Sequence, residues 1–153
     1  MARLKHSQAD ITRYLLIAGG LGVLPDGTTD WGISAEGELD APDKAITVYN
    51  TTGIPDGRIM VTGEMVIHLG LQVRIRDNDP RSGYSKANDI RTAMENVRYL
   101  GVAVSTGGGV PDSNYTVYCY SNISDVIDLG RNVPHTKRVL FTINAVTSII
   151  QTS

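Results

Sequence analysis

The residues that decide the fold are 64–76, EMVIHLGLQVRIR. Apolar and polar residues alternate through most of this stretch, and successive side chains of a strand point to opposite faces. The pattern therefore predicts one long strand whose apolar face is formed by Met65, Ile67, Leu69, Leu71, Val73 and Ile75. At about 3.3 Å per residue the strand would be roughly 43 Å long, close to the diameter of a compact domain of this size. We expect it to project, and a projecting strand with an apolar face commonly meets another subunit.

Composition indicates a single folded domain. The chain has 153 residues, of which 41% are hydrophobic and 20% charged, and this is enough apolar material for an independent core. A formal net charge of −2 provides no general basic field for tight nucleic-acid binding. The single cysteine, Cys119, cannot form an internal disulfide and suits a reducing compartment. The start of the sequence is polar and lacks the pattern of a signal peptide, and no apolar run is long enough to span a membrane.

Two helices and several short strands accompany the long strand. Ser7 is expected to cap a first helix that ends at Gly19–Gly20. A second helix is predicted from Tyr84 to about Tyr99, with its apolar stripe on the long strand. That stripe contains Ile90, Met94 and Val97. Short strands are predicted at 45–50, 115–120 and 123–129, and a last long strand at 139 to about 146, with a turn-rich link at 51–57.

Two long loops are expected, at about 24–44 and 105–114. The first contains the only tryptophan, Trp31, and the second contains Gly107–Gly109. Loops of this length are commonly functional or ordered by a partner. The order of elements lacks a regular alternation of strand and helix. We therefore predict one α+β domain over residues 1–153, with a mostly antiparallel or mixed sheet of four to five strands and two helices on one face.

Nothing in the sequence indicates catalytic chemistry. The histidines are far apart and lack metal-ligand spacing, and Cys119 is expected to be a buried strand residue. The glycines at 19–22 follow a helix, whereas a phosphate-binding loop follows a strand. The carboxylates Asp77, Asp79 and Asp89 do not match a calcium loop. We therefore predict no catalytic residues, no cofactor and no metal site.

Arg74, Arg76 and Arg81 form the one basic cluster of note. They are either a solvated strand face that discourages edge pairing or a contact for carboxylates of a partner, since the arginine fork binds carboxylates well. On the second reading Arg74 and Arg76 avoid the core, and replacing both should leave the subunit folded. The interface candidates are Gln72, Arg74, Arg76, Arg81 and Trp31.

Several segments resemble the tail terminator and minor capsid proteins of long-tailed bacteriophages. In chain order they are APDKAITVY at 41–49, LQVRIR at 71–76, GYSKA at 83–87, LGR at 129–131 and FTINA at 141–145. Each segment alone is a weak match, and their joint order carries the resemblance. The resemblance does not extend to residues 19–40 or to the triple glycine.

The resemblance implies a structural virion protein without catalytic residues or cofactors. Its relatives form a six-membered ring that caps the tail tube, ends tube polymerisation and docks head connector proteins, while DNA passes through the lumen without specific binding. The expected place is the head–tail junction of a virion assembled in the host cytoplasm, with no membrane contact. The alternatives are a head-closure or tail-tube subunit of the same machinery and, from a different class, a small ligand-binding module around Trp31.

Overall fold

The computed structural model describes residues 4–38, 43–58, 65–105, 110–131 and 138–151. Within these ranges the chain forms two helices and seven strands. In chain order they are α1 (Gln8–Ala18), β1 (Gly32–Ala35), β2 (Ala45–Arg58), β3 (Met65–Asp77), α2 (Pro80–Glu95), β4 (Leu100–Val104), β5 (Ser113–Ser121), β6 (Ile127–Arg131) and β7 (Val139–Gln151). His135 and Gly107–Gly109 lie outside the described residues.

The strands form one mixed sheet. Its order is β1-β2-β3-β7-β5-β4, with β6 paired to β7 beside β5. Only β1 and β2 run parallel, and the other ladders are antiparallel. The long strand β3 lies between β2 and β7, where Val73 is opposite both Val48 and Ile143. The long strand and the α+β class are confirmed, but the predicted sheet of four to five strands is too small.

The two strands that the sequence pattern missed are β1 and β4. Each begins directly after an aromatic residue with a left-handed backbone, Trp31 (φ 62°) before β1 and Tyr99 (φ 49°) before β4. Glycine and asparagine are the usual residues in that conformation, so neither position carried a turn signal. With only four and five residues, the strands themselves are too short for a clear alternation. The loop predicted at 24–44 therefore contains a strand.

Several predicted boundaries are wrong. Strand β2 continues through the expected link at 51–57 to Arg58, and its register shifts between Thr51 and Ile54 and again between Pro55 and Gly57. The glycines and proline therefore mark β-bulges in a strand instead of a turn. Strand β6 starts at Ile127 instead of 123, β5 starts within the loop predicted at 105–114, and β7 runs to Gln151.

The helix starts are set by their caps. Ser7 Oγ accepts a hydrogen bond from Asp10 N at 3.3 Å and begins α1, as predicted. Helix α2 begins at Pro80, four residues earlier than predicted. There Asp79 accepts a hydrogen bond from Arg81 N at 3.0 Å, and proline occupies the first turn, where its missing N–H costs nothing.

Both helices lie on the same face of the sheet. Leu71, Val73 and Ile75 of β3 are fully buried on that face. The side-chain oxygen of Asn50, which is opposite Leu71, accepts a hydrogen bond from Ala9 N of α1 at 2.9 Å. Ile90 and Met94 of the predicted stripe lie on α2, and Val97 follows just after the helix ends at Glu95; all three are buried in the same core cluster. Leu69 is only half-buried, and the side chains of Met65 and Ile67 lie outside the described part.

The hairpin of β2 and β3 extends beyond the part of β3 that pairs with β7. The ladder between β3 and β7 begins at Leu69, which is opposite Thr147. From Met65 to Ile67, β3 pairs with β2 alone in the described part of the chain. The outer edge of β2 is also irregular, since β1 accompanies it only to Val48 and Glu36 Oε1 accepts a hydrogen bond from Asn50 N at 2.6 Å.

Candidate functional site

The side of β3 facing away from the helices carries three of the five predicted interface residues, Gln72, Arg74 and Arg76. Residues directly opposite each other in antiparallel strands share a face. The neighbours of Gln72 and Arg74 on this side are therefore polar as well: Thr47, Tyr49, Thr142 and Asn144. Gln72 Nε2 donates to Asn144 Oδ1 at 3.1 Å. We call this surface, formed by Thr47, Tyr49, Gln72, Arg74, Thr142 and Asn144, the polar face.

Arg74 already has partners within the subunit. Its Nη1 donates to Glu38 Oε1 at 3.0 Å, and its guanidinium lies 5.3 Å from the centre of the Tyr49 ring. Burial raises the pKa of the Tyr49 phenol, and the charge of Glu38 raises it further. Because 31% of the Arg74 side chain is exposed, the residue is held in place but accessible from outside.

Arg76 is buried, with only 5% of its surface exposed. Its Nε donates to the backbone oxygen of Asp43 at 3.3 Å. The Asp43 carboxylate in turn accepts a hydrogen bond from Arg138 Nε at 2.8 Å. The expectation of a solvated pair of arginines is therefore wrong for Arg76. The expectation that reversing both charges leaves the subunit folded assumed that both side chains are solvated, and the burial of Arg76 removes that reason. An interface role for Arg74 stays a prediction.

The acidic partners were missed in the sequence. Glu38 and Asp43 come from the segment before β2 that was predicted to be a long loop. A signal for this contact exists, since acidic residues at 36, 38, 40 and 43 precede a strand with arginines at 74 and 76. Opposite charges in those numbers favour a loop folded back across the strand.

Trp31 lies between two lysines. The ammonium nitrogens of Lys44 and Lys86 are 5.4 and 5.1 Å from the centre of its ring, both within the range of a cation–π contact. Burial lowers the pKa of Lys86, and the nearby Asp89 carboxylate offsets this only in part. Trp31 is half-buried against the core cluster. The indole therefore joins the start of β2 to α2 and is not a freely exposed loop residue.

Lys44 extends this cluster to the end of β3. Its Nζ donates to both oxygens of Asp77, at 3.0 and 2.9 Å, and to Ser82 Oγ at 3.0 Å. The Asp77 side chain is completely buried. Burial alone would raise the pKa of Asp77, but the hydrogen bonds that it accepts and the charge of Lys44 lower it. The carboxylate is thus held in its charged form by its partners.

Arg81 is separated from the other two arginines. It is exposed in the first turn of α2, and α2 packs on the opposite side of the sheet from the polar face. The structure therefore divides the interface candidates into two groups. Gln72, Arg74 and Arg76 belong to one side of the sheet, whereas Trp31 and Arg81 lie near the start of α2.

The described histidines and the cysteine have structural surroundings. His6 is buried, with its Nδ1 2.7 Å from the hydroxyl of Tyr115, and His68 Nδ1 is 3.0 Å from Ser148 Oγ. Cys119 is half-buried instead of buried as expected. In the described ranges, no three histidine, cysteine or acidic side chains gather as a metal site. None of the helices described is long and apolar enough to cross a membrane.

These features define a class: a small α+β protein whose conspicuous features are a polar sheet face on the side away from the helices and a long hairpin. A family model of bacteriophage tail terminator proteins matches residues 20–110, more than half of the chain. The chain belongs to this family, which is structural and contributes to the virion tail. The match includes residues 20–40, which lie outside the segments that show the resemblance in the sequence, and it ends before β5. No curated protein matches the chain significantly.

Proposed function

We propose that this protein forms a six-membered ring on the end of the tail tube, stops tube polymerisation and provides the surface on which head connector proteins dock. Membership of the tail terminator family supports the role in ending the tube. The ring, its six subunits and its docking role are proposed from the resemblance in the sequence.

The observation that carries the proposal is the β2–β3 hairpin. From Met65 to Ile67 it pairs as two strands without β7. A two-stranded ribbon is only marginally stable on its own in water, so it gains most from contact with a neighbour. A subunit that holds such a ribbon at one end of its sheet is suited to reach another subunit of the ring or of the tube.

Termination requires two dissimilar ends. One end of the ring binds the last ring of the tube, as a further tube subunit would. The other end does not offer that binding surface again, so addition stops. The head connector proteins then bind this second end. Because the two ends bind different partners, one ring is sufficient for each tail.

The charge of the chain suits a DNA conduit. Six copies at −2 each carry −12, which repels DNA from the ring as a whole. On the polar face, the positive charge of Arg74 is neutralised by Glu38 at 3.0 Å. A lumen lined by this face would present the amide groups of Gln72 and Asn144 to DNA and little uncompensated positive charge. DNA would then pass without being held.

Electron microscopy of the purified protein, alone and mixed with tail tubes, tests the proposal. We expect single rings, and tubes that carry a ring at one end and no longer elongate. Stacks of rings or filaments of the protein alone would identify a tube subunit instead. Rings that bind the connector but not the tube would identify a head-closure protein. Protein that stays monomeric with and without tubes would overturn the proposal.

A further inference from the structure

An open cavity lies between the C-terminal ends of α1 and α2 and the start of β4. Its volume is about 340 Å³, and its walls are mostly apolar, formed by Leu15, Leu16, Leu21, Ala93, Val97 and Leu100 among others. Leu100 is 44% exposed at this site, and the preceding Tyr99 is 76% exposed. A concave apolar surface with apolar residues at its edge is costly to leave in water, so it indicates a binding partner.

The same chain carries an apolar residue that is almost fully in water. Val110 is 88% exposed, the largest fraction for any large hydrophobic residue in the described part of the chain. In the sequence it follows three glycines and precedes Pro111. It belongs to the connection between β4 and β5, and no contact within the core fixes its side chain.

The cavity and Val110 lie at opposite ends of the β4–β5 hairpin. Strand β4 begins in the cavity wall, at Leu100, and ends at Val104, six residues before Val110. Five strand residues span roughly 13–17 Å. A contact between the cavity and Val110 would therefore join two copies of the chain instead of closing within one. A contact between two different patches of identical subunits is head-to-tail, and such a contact gives a ring when the rotation between successive copies closes.

We propose that Val110 of one copy inserts into this cavity of the next copy, and that this contact joins neighbouring subunits. The inference rests on the proposed ring, for which it names the contact. The glycine-rich sequence before Val110 suits a segment that must reach a neighbour, and Pro111 limits the conformations of the tip. The insertion covers an exposed aliphatic side chain and an exposed apolar cavity at the same time.

Substituting a charged residue for Val110, at the tip of the β4–β5 connection, gives the first test. Val110→Asp should leave the monomer folded, because the residue is exposed, and should weaken ring assembly by about tenfold to a hundredfold. Val110→Leu is the matched control and should keep assembly within about threefold, because the tip stays apolar. Ala18→Phe places a large side chain in the cavity from the exposed end of α1 and should weaken assembly as Val110→Asp does.

Disulfide cross-linking gives the direct test. In a Cys119→Ser background, protein with Val110→Cys is mixed with protein carrying Ala18→Cys and oxidised. We expect a mixed disulfide dimer from these two proteins. Leu24→Cys in place of Ala18→Cys is the control, because Leu24 is 39% exposed and does not line the cavity. A chain with both Val110→Cys and Ala18→Cys should give a ladder that stops at the size of the ring.

The outcomes separate this contact from the proposed function. Rings that survive Val110→Asp and give no mixed disulfide would overturn the contact and leave the ring intact. A mixed disulfide in a protein that forms open chains would support the contact and overturn the ring. A cavity that instead takes up a small apolar ligand, with no effect of Val110→Asp on assembly, would also overturn the inference.

Discussion

Arg74 and Glu38 form an ion pair within one subunit, with Nη1 and Oε1 3.0 Å apart. The pair joins β3 to a segment that lies 36 residues earlier in the chain. Any test of Arg74 as an intersubunit contact must therefore separate the loss of this internal pair from the loss of a contact with a neighbour.

Exchanging the charges of Arg74 and Glu38 separates the two effects. Arg74→Glu places two carboxylates side by side and should lower the free energy of unfolding by about 1–2 kcal/mol. Combining it with Glu38→Arg should recover at least half of that loss. Urea denaturation of the four proteins in the cycle measures both effects. Arg81→Glu, at an exposed position, is the control and should change stability by less than about 0.5 kcal/mol.

Assembly of the swapped protein tests the interface role. If Arg74 also contacts a neighbouring subunit, reversed charges at 74 and 38 should still weaken ring formation although the fold is restored. Normal assembly of the swapped protein would restrict Arg74 to its internal role.

Replacing leucines of β3 with alanine should show how far the buried core extends along this strand. Leu71 is fully buried, so Leu71→Ala should cost about 3–5 kcal/mol. Leu69 is half-buried near the point where β7 leaves β3, and Leu69→Ala should cost less than half as much. Chemical denaturation of both variants gives the comparison. Equal losses would show that the core continues under the hairpin.

The buried pair of Asp77 and Lys44 should make stability depend on pH. The pKa of Asp77 is lower in the fold than its value of about 3.9 in an unfolded chain. The pair therefore stabilises the fold above about pH 4, and this contribution is lost as the pH falls through the folded-state pKa. Asp77→Asn should cost about 1–3 kcal/mol at pH 7.

The pH dependence of that difference is the decisive measurement. Unfolding of the natural chain and of Asp77→Asn at pH 7 and at pH 3 should give a large difference at the first pH and a smaller one at the second. An equal difference at both values would contradict the charged state assigned to Asp77.

Gly70 should tolerate no side chain. A Cβ atom at this position would lie 2.4 Å from Thr51 Oγ1 and 2.5 Å from the backbone oxygen of Thr52. Gly70→Ala should therefore cost about 1–3 kcal/mol and disturb the base of the β2–β3 hairpin. At Gly101 a Cβ meets nothing within 4 Å, so Gly101→Ala is the control, with a change within about 0.5 kcal/mol. Thermal unfolding of the two variants makes the test.

Long, regular elements could be predicted from the sequence, whereas short ones could not. Strand β3 shows a clear alternation of period two, and Ser7 marks the start of α1. Strands β1 and β4 gain their conformation from neighbours, through parallel pairing with β2 and antiparallel pairing with β5. Tertiary contact decides such strands, and their own pattern is too short to show it.

The candidate site was predictable in type but not in geometry. Alternation correctly placed Gln72, Arg74 and Arg76 on one face of β3. It could not reveal that Arg76 is buried beside Asp43, since this depends on how a preceding segment crosses the sheet. Neither could it reveal that two lysines flank Trp31, because they come from distant parts of the chain.

The irregular outer edge of β2 has a consequence for subunits that have not yet assembled. Its two bulges, Pro55 and the side chain of Glu36 interrupt the row of backbone groups that another strand would need. Under the proposed function, an infected cell has to hold unassembled copies until tubes reach full length. A protein with a smooth, unpaired edge would be lost to aggregates during that wait. We expect the bulged edge to keep unassembled subunits from aggregating, so that free subunits are available when tubes are ready to bind them.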